Sequence, residues 1–227
     1  MVSPNINALA DFPSREAARL QALQQYELLD TSAEQELDEL TELASQLCGV
    51  PISLITLVAE KRQWFKSKVG LALSETPRTV SFCHHAITDN QVFEVMDART
   101  DYRFQDNPLV TGNPNIRFYA GMPLITPQGH ALGTLCIIDT EPRVLTIEQR
   151  QALEVLARQV MLHFELRRSR LEREREKQKL YQALAELQQV KTQVENLPAA
   201  AGTQDRLLAL QEKLENVVQR LETLASA

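Results

Sequence analysis

The sequence predicts an α+β fold: an antiparallel sheet with flanking helices, followed by a long C-terminal helix and a second coiled-coil-like helix. Three observations lead there. Apolar residues at helical spacing open the chain, two hairpin patterns rich in β-branched residues occupy its middle, and leucines near heptad spacing close it. With 227 residues, 44% of them hydrophobic, the chain has enough apolar material for one packed domain with residues to spare, or for two small ones.

Two amphipathic helices come first. One spans about Ser14 to Leu28. The next is expected to start at Thr31 or Ser32, because Thr31 with Glu34 and Ser32 with Gln35 both fit the spacing at which a side chain and a backbone amide cap each other. Leu37, Leu40, Ala44 and Leu47 give that helix a core-facing stripe, and Gly49 and Pro51 end it. Ile52 to Val58 is apolar on both faces, as a covered central strand must be. Gln63 to Val69 alternates, with Phe65 and Val69 opposite Lys66 and Lys68, and Glu60-Lys61 makes the turn between the two. A second hairpin joins Phe118 to Ile125 with Ala131 to Ile138 through Thr126-Pro127-Gln128-Gly129. Pro123 lacks a ladder donor and so marks an edge or a bulge. Between the hairpins lie a short helix from Ser81, a strand near Val92 to Met96 and a polar stretch from Asp97 to Asn115.

From Thr146 the pattern changes. Thr146 and Gln149 form another capping pair, and Leu153, Leu156, Val160 and Phe164 follow at helical spacing. The helix is expected to run to Pro198, roughly 75 Å at about 1.5 Å per residue, far longer than one sheet needs for cover. Leu180, Leu184, Leu187 and Val194 sit near heptad spacing. After a break at 198–203, Leu207, Leu210, Leu214, Val217, Leu221 and Leu224 keep it strictly. Such stripes require a partner helix, either in a second chain or across the break within this one. The expected organisation is a flexible N-terminus (1–13), the α+β domain (14–167), a helical extension (168–197), the break (198–203) and the heptad helix (204–227).

Composition narrows the function. Lys and Arg number 24 against 30 Asp and Glu, a formal charge of −6, which argues against a chain that binds nucleic acid by neutralising phosphates. Three cysteines without close spacing form neither a disulfide framework nor a zinc site. Neither a leader pattern nor an apolar run of about 20 residues appears, so the expectation is a cytoplasmic protein without membrane insertion. Whether the protein takes a cofactor is left unknown by the residues.

The segments LLDTSAEQELDELTELASQLCGVPISLITLV, RQWFKSKVGL with ETPR, SFCHHAI, DNPLV with IRFYAGMPL, GHALGTLCIIDTEPR and LTIEQ together resemble the GAF domains that precede histidine-kinase or diguanylate-cyclase output domains in bacterial signalling proteins. The resemblance spans about Ser14 to Arg167. It implies terminal helices on one sheet face, where such modules commonly dimerise, and a ligand-sized cavity on the other, roofed by Ser81 to Asp89 and Asp97 to Asn115. Signatures of the output domains themselves are absent from the sequence, as are the bilin-attachment and cyclic-nucleotide patterns of other GAF groups.

Within that frame the candidate ligand-binding residues are Cys83, His85, Asp97, Arg103, Phe104, Asp106, Arg117 and Tyr119. Ser81-Phe82-Cys83-His84-His85 carries the densest chemistry: if Ser81 caps the helix, Cys83 lies in its first turn, where the dipole favours a thiolate. The plainer role for Cys83 is a small buried hydrophobe. Adjacent histidines diverge on a helix, so metal ligation is not expected. The arginines of 97–107 suit an anionic ligand, although such a run more often caps its own turns. Alternation places Arg117 and Tyr119 on one strand face. The candidate dimer or coiled-coil residues are Leu153, Leu156, Val160, Leu180, Leu184, Leu187, Leu207, Leu210, Leu214, Val217, Leu221 and Leu224. The expected function is a non-enzymatic sensory module, a homodimer that binds a small ligand and signals to an output protein or domain. The alternatives are a ligand-free dimerisation and interaction module, or a Cys83-dependent redox enzyme or sensor of the kind seen in GAF-fold sulfoxide reductases.

Overall fold

The structure is a computed structural model and describes residues 12–195, 208 and 212–221. It divides into two units, 1–168 and 169–227.

In the first unit α1 (Phe12–Gln25) and α2 (Gln35–Cys48) precede a six-stranded antiparallel sheet. Its strands are β1 (Ile52–Val58), β2 (Arg62–Val69), β3 (Glu75–Pro77), β4 (Phe93–Val95), β5 (Phe118–Ile125) and β6 (Ala131–Asp139), in the order β3-β2-β1-β6-β5-β4. Two short helices, α3 (Phe82–Ala86) and α4 (Pro108–Thr111), lie in the connections, and α5 (Ile147–Glu195) is a single helix of 49 residues that continues into the second unit. The expected α+β class, antiparallel sheet and long helix are present.

Alternation along the central strands builds two apolar layers. Ile55, Leu57, Phe118, Ala120, Leu135 and Ile137 face Leu23, Leu37, Ala44, Leu153 and Val160 of the helices and Tyr26 in the turn after α1. Ile52, Leu54, Tyr119, Cys136 and Ile138 face the opposite way, toward Phe82, Cys83 and Phe104. β1 is buried at all seven positions because it pairs with β2 on one side and β6 on the other. Pro123 costs no ladder bond: β4 pairs with β5 only up to Gly121, so the outer edge is open there.

Several expectations are corrected. α2 begins at Gln35, and neither Thr31 nor Ser32 caps it; Thr31 Oγ1 donates to Leu28 O, and Glu34, at the cap position, makes no side-chain cap bond. Those residues instead receive the Lys66 ammonium, which donates to Thr31 Oγ1 (2.8 Å) and Ser32 O (2.7 Å) and pairs with Glu34 at 2.7 Å. Alternation after Trp64 and Phe65 sets Lys66 on the buried helix side, and a bulge there, with Phe65 paired to Thr56 and Ser67 to Ile55, brings Ser67 to the same face, where it bonds Thr41 and Asp38. Leu47 is exposed, and Thr41 and Cys48 take its place on the buried stripe of α2. Gly49 stops that helix with φ 62°, where its own amide and that of Val50 reach back to Gln46 O and Ser45 O. The expected Thr146 cap is present, with Gln149 N donating to Thr146 Oγ1 (3.2 Å) and Thr146 N to Gln149 Oε1 (3.1 Å).

Leu153, Leu156 and Val160, expected at a helix interface between chains, are buried in the helix-side core of their own domain. The sheet face already fills that stripe. The exposed apolar residues of this part of α5 are Ile147, Val155, Leu162 and Leu166.

In the second unit residues 212–221 are helical, Leu184 and Val218 are buried, and Lys191 Nζ donates to Glu215 Oε1 at 2.6 Å. Leu180, Leu187, Leu214 and Leu221 are half-buried, whereas Val217 is exposed and its neighbour Val218 is the covered residue. The break at 198–203 and Leu207, Leu210 and Leu224 lie outside the described residues.

Candidate functional site

The cavity-side layer is assembled around Cys83. Ser81 caps α3 by accepting from His84 N at 3.1 Å, and its hydroxyl also donates to Gln63 Oε1, which ties the helix start to β2. The cap sets Cys83 in the first turn with its side chain directed into the layer beneath. There Thr134 Oγ1 donates to Cys83 Sγ (3.1 Å), Tyr119 Oη donates to it (3.2 Å), and Cys136 Sγ lies 3.8 Å away. Thr56 Oγ1 stands 3.1 Å from Thr134 Oγ1 and extends the chain of hydroxyls to β1. Three strands supply this cluster in register: Thr56 pairs with Thr134, and Cys136 with Gly121. Gly121 has to be glycine for the tyrosine to fit, since a Cβ there would lie 2.2 Å from Tyr119 Oη.

The electrostatics of the two thiols diverge. Burial pushes the Cys83 thiol up, but hydrogen bonds from Cys136, Thr134, Thr56 and Tyr119 outweigh it and bring it down to about 6. Burial raises Cys136 and Tyr119, and the neighbouring Cys83 raises both further. Two thiols in contact do not both ionise, and the hydrogen bonds converging on Cys83 favour the thiolate there over Cys136. Cys48, on the other side of the sheet, has its thiol pushed up to about 11 by burial alone.

Aromatic rings fill most of the remaining space. Phe82 stacks on Phe104 with centroids 4.0 Å apart, and Tyr119 lies 5.2 Å from Phe82. His85 sits edge-on to Phe104, and the Arg103 guanidinium lies 4.8 Å above Phe93. What is left beside Cys83 is a cavity of about 30 Å³, walled by Cys83, Tyr119, Ser81, Gln63, Thr76 and apolar residues. Thr76 is buried there and its Oγ1 has no protein partner.

Of the eight expected ligand-binding residues, only Cys83 and Tyr119 line this cavity. Phe104 is buried behind them and His85 lies at the rim of the aromatic cluster. The charged loop is satisfied by itself: Arg99 binds Asp97, Arg103 binds Asp101, and Asp106 is exposed. Arg117 donates to Val110 O (2.8 Å) and Ile116 O, bracing the loop rather than facing the cavity. Burial and the adjacent Arg78 lower the pKa of His84, whose Nδ1 accepts from Arg78 at 3.2 Å, and burial with Arg103 lowers that of His85. Among the described residues no group of three or more His, Cys, Asp or Glu is placed to hold a metal ion. Sequence reasoning missed Thr56, Thr76, Thr134 and Cys136. Alternation from Ile138 places Thr134 and Cys136 on the cavity face, but only the pairing of β1 with β6 and of β5 with β6 brings them to Cys83.

The chain is 44% identical over 163 residues to a cyclic di-GMP phosphodiesterase of Pseudomonas aeruginosa, an alignment covering 71% of this chain and 28% of that protein. Among solved structures it is similar to the free methionine-R-sulfoxide reductase from Neisseria meningitidis in complex with its substrate (TM-score 0.50, 16% identity, 74% of this chain and 96% of that one). It is also similar to the GAF domain of a phosphoenolpyruvate-protein phosphotransferase from Coxiella burnetii (TM-score 0.48, 16% identity, 69% and 96%). At these identities the structural likeness is one of fold. Residues 32–164, more than half of the sequence, match the model of the GAF domain, and the chain belongs to the GAF domain family.

Proposed function

We propose that the chain is a non-catalytic regulatory module of a signalling protein, which self-associates through the outer faces of α2 and α5 and passes its state along α5 to an output. The observation that carries this reading is the continuity of α5. The helix whose first turns bury Leu153, Val160 and Phe164 in the helix-side core is the same 49-residue helix that continues to Glu195. A change in packing against the sheet is therefore a change in the helix that leaves the domain. Cyclic di-GMP turnover is the output class suggested by the Pseudomonas relative, of which the chain spans 28%.

Self-association is drawn to the exposed apolar residues Val155, Leu162 and Leu166 of α5, with Leu43 and Leu47 of α2. The two helices run side by side in opposite directions: His163 Nε2 lies 4.0 Å from Glu36, and Gln149 Nε2 donates to Cys48 O at 3.2 Å. In the second unit, the Lys191 to Glu215 contact supports pairing of the two helical segments within one chain.

A specific observation favours the version of this function without a metabolite. Ordinary small-molecule sites enclose at least about 300 Å³. The cavity beside Cys83 is about 30 Å³, so a metabolite seated at that point requires α3 and the 97–115 loop to move outward. The test is light scattering over a concentration series of the whole chain. A dimer is expected, and Leu162→Asp with Val155→Asp should give a monomer of unchanged helicity. A wild-type chain that stays monomeric at every concentration removes the proposal. Native mass spectrometry of the same sample separates the two versions, since a retained small molecule indicates an opened roof.

A further inference from the structure

The geometry points to a peroxide-reactive dithiol at Cys83 and Cys136, in which a small hydroperoxide enters the cavity beside Cys83 and the two thiols close into a disulfide between α3 and β6. This goes beyond the regulatory reading and does not depend on self-association.

Three independent features meet at this point. The first is proximity: Sγ of Cys83 and Sγ of Cys136 lie 3.8 Å apart, so small side-chain rotations bring them to bonding distance. The second is polarity. Two hydroxyls, Thr134 at 3.1 Å and Tyr119 at 3.2 Å, donate to Cys83 Sγ inside an otherwise apolar layer, and such donors stabilise a thiolate, the reactive form of the group. The third is a space of the right size and character. A water needs about 10–15 Å³ of cavity, so about 30 Å³ accommodates a molecule of two oxygen atoms and little more. Thr76 Oγ1 is buried in the wall of that space without a protein partner, and Gln63 and Ser81 line it too; a small hydrogen-bonding occupant is what such a wall can satisfy.

The chemistry balances with hydrogen peroxide as the oxidant. The Cys83 thiolate attacks one peroxide oxygen, the O–O bond breaks, and Cys83 becomes a sulfenic acid while the departing hydroxide takes up the proton that the Cys83 thiol released on ionising and leaves as water. The Cys136 thiol then gives up its proton as its sulfur attacks Cys83 Sγ. The S–S bond forms, the S–OH bond breaks, and the second water leaves. The two thiols lose two electrons and the peroxide gains them. Cys48 serves as an internal reference, buried on the other face of the sheet at a distance from any second cysteine that the sheet itself enforces.

The experiment treats the intact chain with hydrogen peroxide, quenches it, alkylates all remaining thiols under denaturing conditions and maps the peptides by mass. Cys83 and Cys136 should leave the alkylated pool together and reappear as one cross-linked peptide within a single chain, while Cys48 stays alkylated. In Cys136→Ala the reaction should stop at a dimedone-trappable sulfenic acid on Cys83. Thr134→Val should slow the loss of Cys83 by about tenfold. Circular dichroism of each variant reports whether it folds, and the wild-type map stands without them. The proposal is overturned if the pair stays reduced in the folded chain, if Cys48 oxidises as fast as Cys83, or if the cross-link joins two chains.

Discussion

At the scale of single residues, burial and hydrogen bonding pull in opposite directions, and the winner differs from site to site. For Cys48 burial acts alone and the thiol rises to about 11; for Cys83 the converging donors prevail and the thiol falls to about 6. The rate at which a small reagent modifies Cys83 should therefore climb with pH through about 6 and level off above about 7, where an ordinary thiol is still gaining thiolate. Quenched alkylation between pH 5 and 9, read by mass at Cys83, checks this; a rate still climbing at pH 9 would show that the hydroxyls do not stabilise the thiolate. Glu16 obeys the same competition. Its partial burial raises the carboxyl, but hydrogen bonds from Arg19 (2.8 Å) and Arg78 (2.6 Å) dominate and hold it at about 2. A carboxyl depressed in the folded state stabilises it above the unfolded value near 4.5, and that contribution is lost as pH falls toward 2. The stability gap between the wild type and Glu16→Gln should be largest above about pH 4.5 and close in acid, as measured by urea titrations at several pH values. Neither partnership was legible beforehand, because Glu16 meets Arg78 across 62 residues and Cys83 meets Cys136 across 53. The cap at Ser81 was legible because everything it needs lies within three residues.

Among the elements, the two capping patterns separate local from tertiary control. Thr146 and Gln149 cap α5 as their spacing predicts, and Thr146→Ala should cost about 1 kcal/mol of stability in chemical denaturation. Thr31 and Ser32 carry an equally good pattern that is overridden. Lys66 faces the helices, and its ammonium requires oxygen ligands from the 31–34 turn more than the helix requires a cap. Lys66→Ala leaves Glu34 with only Arg167, at 3.1 Å, and empties a buried site. It should destabilise the domain by about 3 kcal/mol, in the range for removing one partner of a buried ion pair. A loss near zero in the same denaturation assay would mean that water replaces the ammonium without cost. The two-sided apolar run of β1 and the alternation that sets Phe65 opposite Lys66 were readable, whereas the bulge that brings Ser67 to the same face as Lys66 leaves no mark in the sequence. The same distinction explains the α5 stripe. Helical spacing identifies Leu153, Leu156 and Val160 as one face but not whether that face meets its own sheet or another chain, and the sheet takes it.

For the whole molecule, two apolar layers on either side of one sheet hold the described part of the first unit together, while the 169–227 unit has Leu184 and Val218 as its buried apolar residues among those described. Helices of that composition draw most of their stability from whatever they pack against, because propensity alone is marginal in water. The α+β body, with its paired hairpins and order of elements, was legible because its patterns are local and its core is large. The fate of the leucine-bearing tail was not, because heptad spacing is equally satisfied by a second chain or by the same one. A chain ending at Arg175 keeps both layers, the Thr146 cap, the Arg167 to Glu34 pair and the Arg168 stacking on Tyr26. It should unfold in one cooperative thermal transition within a few degrees of the main transition of the full chain. The full chain should add a broad, earlier loss of helical signal from residues 169–227. Calorimetry and circular dichroism at 222 nm on the two chains make the comparison. A collapse of the main transition on truncation would place part of the domain's stability in the tail, and α5 would then support the sheet over its whole length rather than in its first turns.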